Sequence, residues 1–236
     1  MDAGLIVRGG GSIVQIDSQY NNLGLRGALT VSLPGGRVTS GSYVGGRTVE
    51  ASFNWVKGDL LFIRSTTPVH AYYHNMIPGK IVLRQPIDAA AGSAVVYVVG
   101  KAPANLYNPV AGLIVRNHIT GELIYANNKR HLDVQGLAAV GIDQPAPSLT
   151  HSWSVPGGRV YGICNTAAPD CVVDGPTVGL PAGYEALYSP FFDGGTSGSV
   201  IRSRYLQTWR DLWDLDFPTN PPAISSTVLV ADFTGV

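Results

Sequence analysis

Short apolar runs broken by glycine, proline and asparagine recur along the whole chain. Runs of that length between such punctuation are the mark of β-strands. Residues 5–7 lead through Gly9-Gly10-Gly11 into the alternating stretch Ser12-Ile13-Val14-Gln15-Ile16-Asp17. This predicts a hairpin with a glycine-rich turn. Residues 113–115 lead through Asn117-His118-Ile119-Thr120-Gly121 into Glu122-Leu123-Ile124-Tyr125, the same hairpin with different turn chemistry. Further strands are predicted at 49–55, 60–64, 69–73, 80–83 and 94–99, with counterparts near 160–164, 185–188, 199–202 and 227–231. One segment, 203–216, fits two periods. Tyr205, Leu206, Trp209, Leu212 and Trp213 fall at helical spacing. Every second residue from Tyr205 through Trp209 and Trp213 to Phe217 gives instead a largely aromatic strand face.

The two hairpins share more than pattern. Ala3-Gly4-Leu5-Ile6-Val7-Arg8 returns unchanged as Ala111-Gly112-Leu113-Ile114-Val115-Arg116. Pro34-Gly35-Gly36-Arg37-Val38 returns as Pro156-Gly157-Gly158-Arg159-Val160, and Ile63-Arg64-Ser65 as Ile201-Arg202-Ser203. The matches keep their order, and their spacing grows along the chain, as loop insertions in a second copy would make it. The expected fold is therefore all-β: two tandem, internally duplicated β-sandwich-like domains, 1–104 and 105–236. The proline-containing stretch 101–109 serves as a short connector.

Composition narrows the function classes. Sixteen basic and sixteen acidic residues cancel, so no global field draws the chain to nucleic acid or anionic lipid. Only 14 % of residues are charged, against 45 % hydrophobic and 29 glycines, which suits a β protein whose surface is partly covered by neighbours. The opening Met1-Asp2-Ala3-Gly4 carries no basic leader, which predicts synthesis in the cytoplasm. The longest apolar run, 94–99, is too short to insert in a membrane. Cys164 and Cys171 are the only cysteines. A disulfide closing that short loop and a pair of free thiols both fit, cytoplasmic synthesis opposing early oxidation. No His or Cys stands near them in zinc spacing.

Catalytic patterns are missing from the chain. It has no phosphate loop, no HExxH and no GxSxG elbow. Stretch 193–199 holds serines among glycines, and reads as a turn. His70 and His74 would share a metal only on a helix. Pro68, Val69 and two tyrosines favour a strand there, on which they stand about 13 Å apart. Asp211, Asp214 and Asp216 lack the spacing of an EF-hand loop. No catalytic residue, cofactor or metal is expected. Tyr20, Tyr43, Tyr107 and Tyr184 stand beside glycine or asparagine, which predicts loops, and they are the candidate surface or receptor contacts.

The stretch Val14-Gln15-Ile16-Asp17-Ser18-Gln19-Tyr20-Asn21-Asn22-Leu23, with the strand Gly4-Leu5-Ile6-Val7-Arg8 before it, resembles small β-rich proteins encoded among the late tail genes of long-tailed phages of Gram-negative bacteria. The match covers roughly the first tenth of the chain. The second copy departs from it, with Ile124-Tyr125-Ala126-Asn127 where Gln-Ile-Asp would fall. The resemblance implies a non-enzymatic component of the virion tail end: tip, baseplate or fibre complex. Its partners would be itself, as a homotrimer, other phage tail proteins, and a bacterial surface glycan or protein receptor. A carbohydrate-binding module, made bivalent by duplication, is the alternative. A glycan-degrading enzyme, which needs two facing carboxylates, comes third.

Overall fold

A strand sends every second side chain to one face, so an alternating segment such as Thr48-Val49-Glu50-Ala51-Ser52 turns its apolar residues to one side, where packing against another layer buries them. The computed structural model of the chain describes residues 4–9, 12–17, 23–41, 43–73, 77–101, 114–116, 123–126, 133–142, 150–167, 171–174, 185–194, 200–211 and 224–235. Among these there is no helix. The first half of the chain gives β1 (Gly4–Gly9), β2 (Ser12–Asp17), β3 (Leu23–Leu33), β4 (Arg37–Ser40), β5 (Tyr43–Gly46), β6 (Thr48–Ser52), β7 (Leu60–Ser65), β8 (His70–Tyr73), β9 (Lys80–Arg84) and β10 (Gly92–Lys101). The second gives β11 (Ile114–Arg116), β12 (Leu123–Ala126), β13 (Asp133–Ile142), β14 (Thr150–Ser154), β15 (Tyr161–Ala167), β16 (Cys171–Asp174), β17 (Glu185–Gly194), β18 (Val200–Asp211) and β19 (Ile224–Asp232).

The residues group into two compact units. One joins Met1–Gly27 with Val98–Leu132 and holds the two antiparallel hairpins, β1 with β2 and β11 with β12. Both hairpins stand where the sequence predicts them. The other unit joins Ala28–Tyr97 with Asp133–Val236. The division runs through β3 and β10. The all-β, sandwich-like class read from the sequence is the one that forms. Duplication of tandem domains at 1–104 and 105–236 is not established by this grouping.

Three sheets carry the larger unit. One has the order β13-β19-β15-β7-β10-β3, and β13, β19, β15 and β7 pair antiparallel. A second runs β16-β17-β18-β5-β4, with β14 on the remaining length of β18. The third is β6-β9-β8. β17 packs against β7, β15 and β8, which makes the arrangement layered. The core lies along the first sheet: Leu33, Phe62, Ile63, Val96, Ile163, Val228 and Val230 are all essentially inaccessible to solvent. Phe233, beyond β19, stacks on Tyr97 at 4.1 Å between ring centres and meets Phe62 edge-on at 5.4 Å. Gly162 makes room for this cluster. A Cβ there would sit 2.8 Å from the Phe233 ring and 3.1 Å from Phe62 Cβ.

The first sheet reads the same from either end. β3 and β13 each follow a hairpin in their half of the chain, β10 and β19 each close their half, and β7 meets β15 at the centre with Ile63 opposite Ile163. Gly58 and Gly158 hold the turns before β7 and β15 at φ of 98° and 76°. The other sequence matches do not correspond. The first Pro-Gly-Gly turn joins β3 to β4 and has two glycines at positive φ; the second joins β14 to β15 and has one. Ile63-Arg64-Ser65 lies in the first sheet, but Ile201-Arg202-Ser203 in the second. Segment 203–216 is strand through Asp211, and its remainder lies outside the described residues.

Candidate functional site

The three-stranded sheet presents a polar face. Its registers align Thr48, Arg84 and His70 in one row, Glu50, Val82 and Tyr72 in the next, and Ser52 with Lys80 in a third. Strand pleating sends these rows to one side. Thr48, Glu50 and Ser52 are exposed; Lys80, Arg84, His70 and Tyr72 are partly so. The opposite side carries Val49, Ala51, Ala71, Ile81 and Leu83, and both Ile81 and Leu83 are fully buried. The alternation Thr-Val-Glu-Ala-Ser along β6 thus sets which groups reach water.

Tyr72 is the hub of the polar face. Arg84 Nη2 donates to its hydroxyl at 3.2 Å, and the guanidinium carbon lies 5.4 Å from the ring centre, within cation–π range. The His70 ring is tilted against it, 5.6 Å away. Lys80 approaches Glu50 at 3.9 Å. Half-buried Trp55 donates its indole N–H to the Lys80 carbonyl at 3.2 Å. Among the described outward positions Glu50 is the one carboxylate, so the face offers aromatic surface and cations with a single acid.

The end of this sheet is pinned by Gln85, which follows Arg84 and is fully buried. Its backbone N–H donates to the Arg47 carbonyl at 2.8 Å. Its side-chain oxygen accepts from Gly35 N–H at 2.9 Å, and its amide donates to the Ala90 carbonyl at 3.2 Å. Gly35 lies flush against backbone at 89–91, where a Cβ would meet Ala90 C at 2.6 Å, and its φ of 67° suits glycine.

The titratable groups elsewhere have structural roles. Burial pushes the Cys164 thiol up to about 12, against a lowering contact from the Leu61 backbone. Cys164 is a buried free thiol, so of the two sequence readings the Cys164–Cys171 disulfide is not formed. At Asp232 burial acts upward. It is outweighed by bonds from the Thr234 hydroxyl and N–H and by Arg159, which together hold the carboxyl below its ordinary value. Among the described residues no three His, Cys, Asp or Glu side chains gather as a metal site.

Of the tyrosines singled out as contacts, Tyr20, Tyr107 and Tyr184 lie outside the described residues. Tyr43, expected in a loop, is the first residue of β5, opposite Ser40 of β4. His70 lies on a strand, as Pro68 and its tyrosine neighbours imply; His74 lies outside the described residues. The sequence reading did not single out Tyr72, Arg84, Lys80 or Glu50. The polar–apolar alternation of 48–52 was a signal for Glu50, whereas Lys80 and Arg84 flank an unbroken apolar run that gives no such cue. Compared with known protein families, curated proteins and solved structures, the chain finds no match.

Proposed function

We propose that this chain is a non-enzymatic structural protein of a phage virion tail end, acting in the tip, baseplate or fibre complex and contributing to attachment at the host surface. The observation that carries the reading is the segment Val14-Gln15-Ile16-Asp17-Ser18-Gln19-Tyr20-Asn21-Asn22-Leu23, with its resemblance to late tail-gene products. The low charge and glycine-rich β composition agree with a protein that covers its surfaces by assembly. In this reading it is made in the host cytoplasm, associates with itself as a trimer and with other tail proteins, and carries no cofactor. Deleting its gene from the parent phage is expected to give malformed or non-adsorbing tails. Fully infectious particles without it would overturn the reading.

A second reading, a glycan-binding module, draws on the Tyr72 face, because an aromatic ring flanked by Arg84 and His70 suits sugar recognition. Binding to a bacterial polysaccharide that Tyr72→Ala abolishes without changing the melting temperature would favour it. Unchanged binding would remove that face from consideration.

A further inference from the structure

We propose that the two outer strands of the six-stranded sheet join copies of this chain head to tail, β13 of one copy taking β3 of the next by strand addition. The inference rests on the self-assembly reading above and names the surface that performs it. Among the described residues no strand pairs with the outer side of either β13 or β3. A strand edge that no other strand covers is a template for another strand. Natural edges are usually shielded by shortness, lysine or proline. These have little of that shielding. β13 spans ten residues and β3 eleven, where about five or six is usual. After Asp133, β13 continues as Val134-Gln135-Gly136-Leu137-Ala138-Ala139-Val140-Gly141-Ile142, without charge or proline. Its one irregularity, a register shift between Val134 and Gly136, disturbs only the first residues. Val134, although apolar, is 48 % exposed.

The choice of β3 as occupant follows from charge and chain direction. Arg26 is the one charged residue of β3, and Ala28, Thr30 and Ser32 are its exposed, uncharged positions. Asp133 and Arg26 have opposite signs, so joining β13 to β3 opposes no like charges in any register. Each pairing with register in this sheet is antiparallel. Continuing that pattern with full overlap leaves two registers, and the one that sets exposed Val134 opposite exposed Ser32 of the next copy, rather than opposite buried Val31, keeps the exposed positions together. A head-to-tail contact repeats from copy to copy and closes into a ring where its rotation allows, which is compatible with three copies.

The test is native mass spectrometry and light scattering across a concentration series of the full chain, with Val134→Lys, Thr30→Lys and the double variant Val134→Lys/Ser32→Glu. All three sites are exposed, so circular dichroism and melting temperature should match the wild type. The wild type is expected to associate, each lysine variant roughly fivefold more weakly, and the double variant with restored affinity. A wild type that stays monomeric overturns this inference and the self-assembly reading together. Association unchanged by Val134→Lys and Thr30→Lys overturns the inference alone. Weakening without recovery in the double variant overturns β3 as the occupant of β13.

Discussion

A thiol held near 12 is protonated at neutral pH and a poor nucleophile, so Cys164 behaves as a small apolar core residue. Native protein treated with iodoacetamide should leave Cys164 unmodified, and denaturation should expose it. Rapid native alkylation at Cys164, read by peptide mass spectrometry, would contradict its burial. Sequence spacing could not separate a thiol from a disulfide here, because what decides it is the place of β15 in the core. Asp232 makes the opposite kind of contribution. Its folded carboxyl is held below the ordinary 3.8, so its stabilisation is fully present above that value and is lost as pH falls through the folded one. Wild-type protein should therefore lose more stability between pH 7 and pH 3 than Asp232→Asn, as urea midpoints would measure. Equal losses would deny the bonds from Thr234 and Arg159 any energetic role. Among the tyrosines, Tyr43 shows that a glycine neighbour is weak guidance, since strand pairing rather than local sequence claimed it.

Strands with clear alternation or an unbroken apolar run were legible. Those at 60–65, 80–84 and 92–101 lie where the residue pattern puts them. β3 and β13 were missed because glycines at 24, 27, 136 and 141 break the apolar rhythm, which only the neighbouring strands restore. β18 resolved an ambiguity that its own residues could not, since pairing with β17, β14 and β5 selects the period of two. The glycine at 162 is a requirement of packing between elements. Gly162→Ala should destabilise the fold by about 1–3 kcal/mol, because the Phe233 ring must move off Tyr97 to admit the methyl group. A thermal melt unchanged by that substitution would refute the tight cluster. Gln85→Leu keeps the bulk but leaves Gly35 N–H and the Ala90 carbonyl without their partner, at a cost of about 1–3 kcal/mol. The polar face built on β9 should loosen with it. An unchanged chemical-denaturation midpoint would mean that the Gln85 amide contributes nothing.

At the scale of the whole chain, the repeated words of the sequence fall in both like and unlike structural surroundings. Both hairpins form, but Ile63 pairs with Ile163 in one sheet while Ile201 lies in another. A short identical word such as Pro-Gly-Gly-Arg-Val can serve two different turns, because turn chemistry is local and strand order is not. Function was less legible than fold. The polar face of Tyr72, Arg84 and Glu50 is assembled from three separate segments, and the tail-end reading comes from a ten-residue resemblance rather than from any site. That proposal is tested most directly by quantitative mass spectrometry of purified particles of a phage whose genome is found to encode this chain. The account predicts the chain in every particle, at a fixed copy number that is a multiple of three, within the tail-end fraction. Its absence from particles, with the protein free in the lysate, would contradict the account.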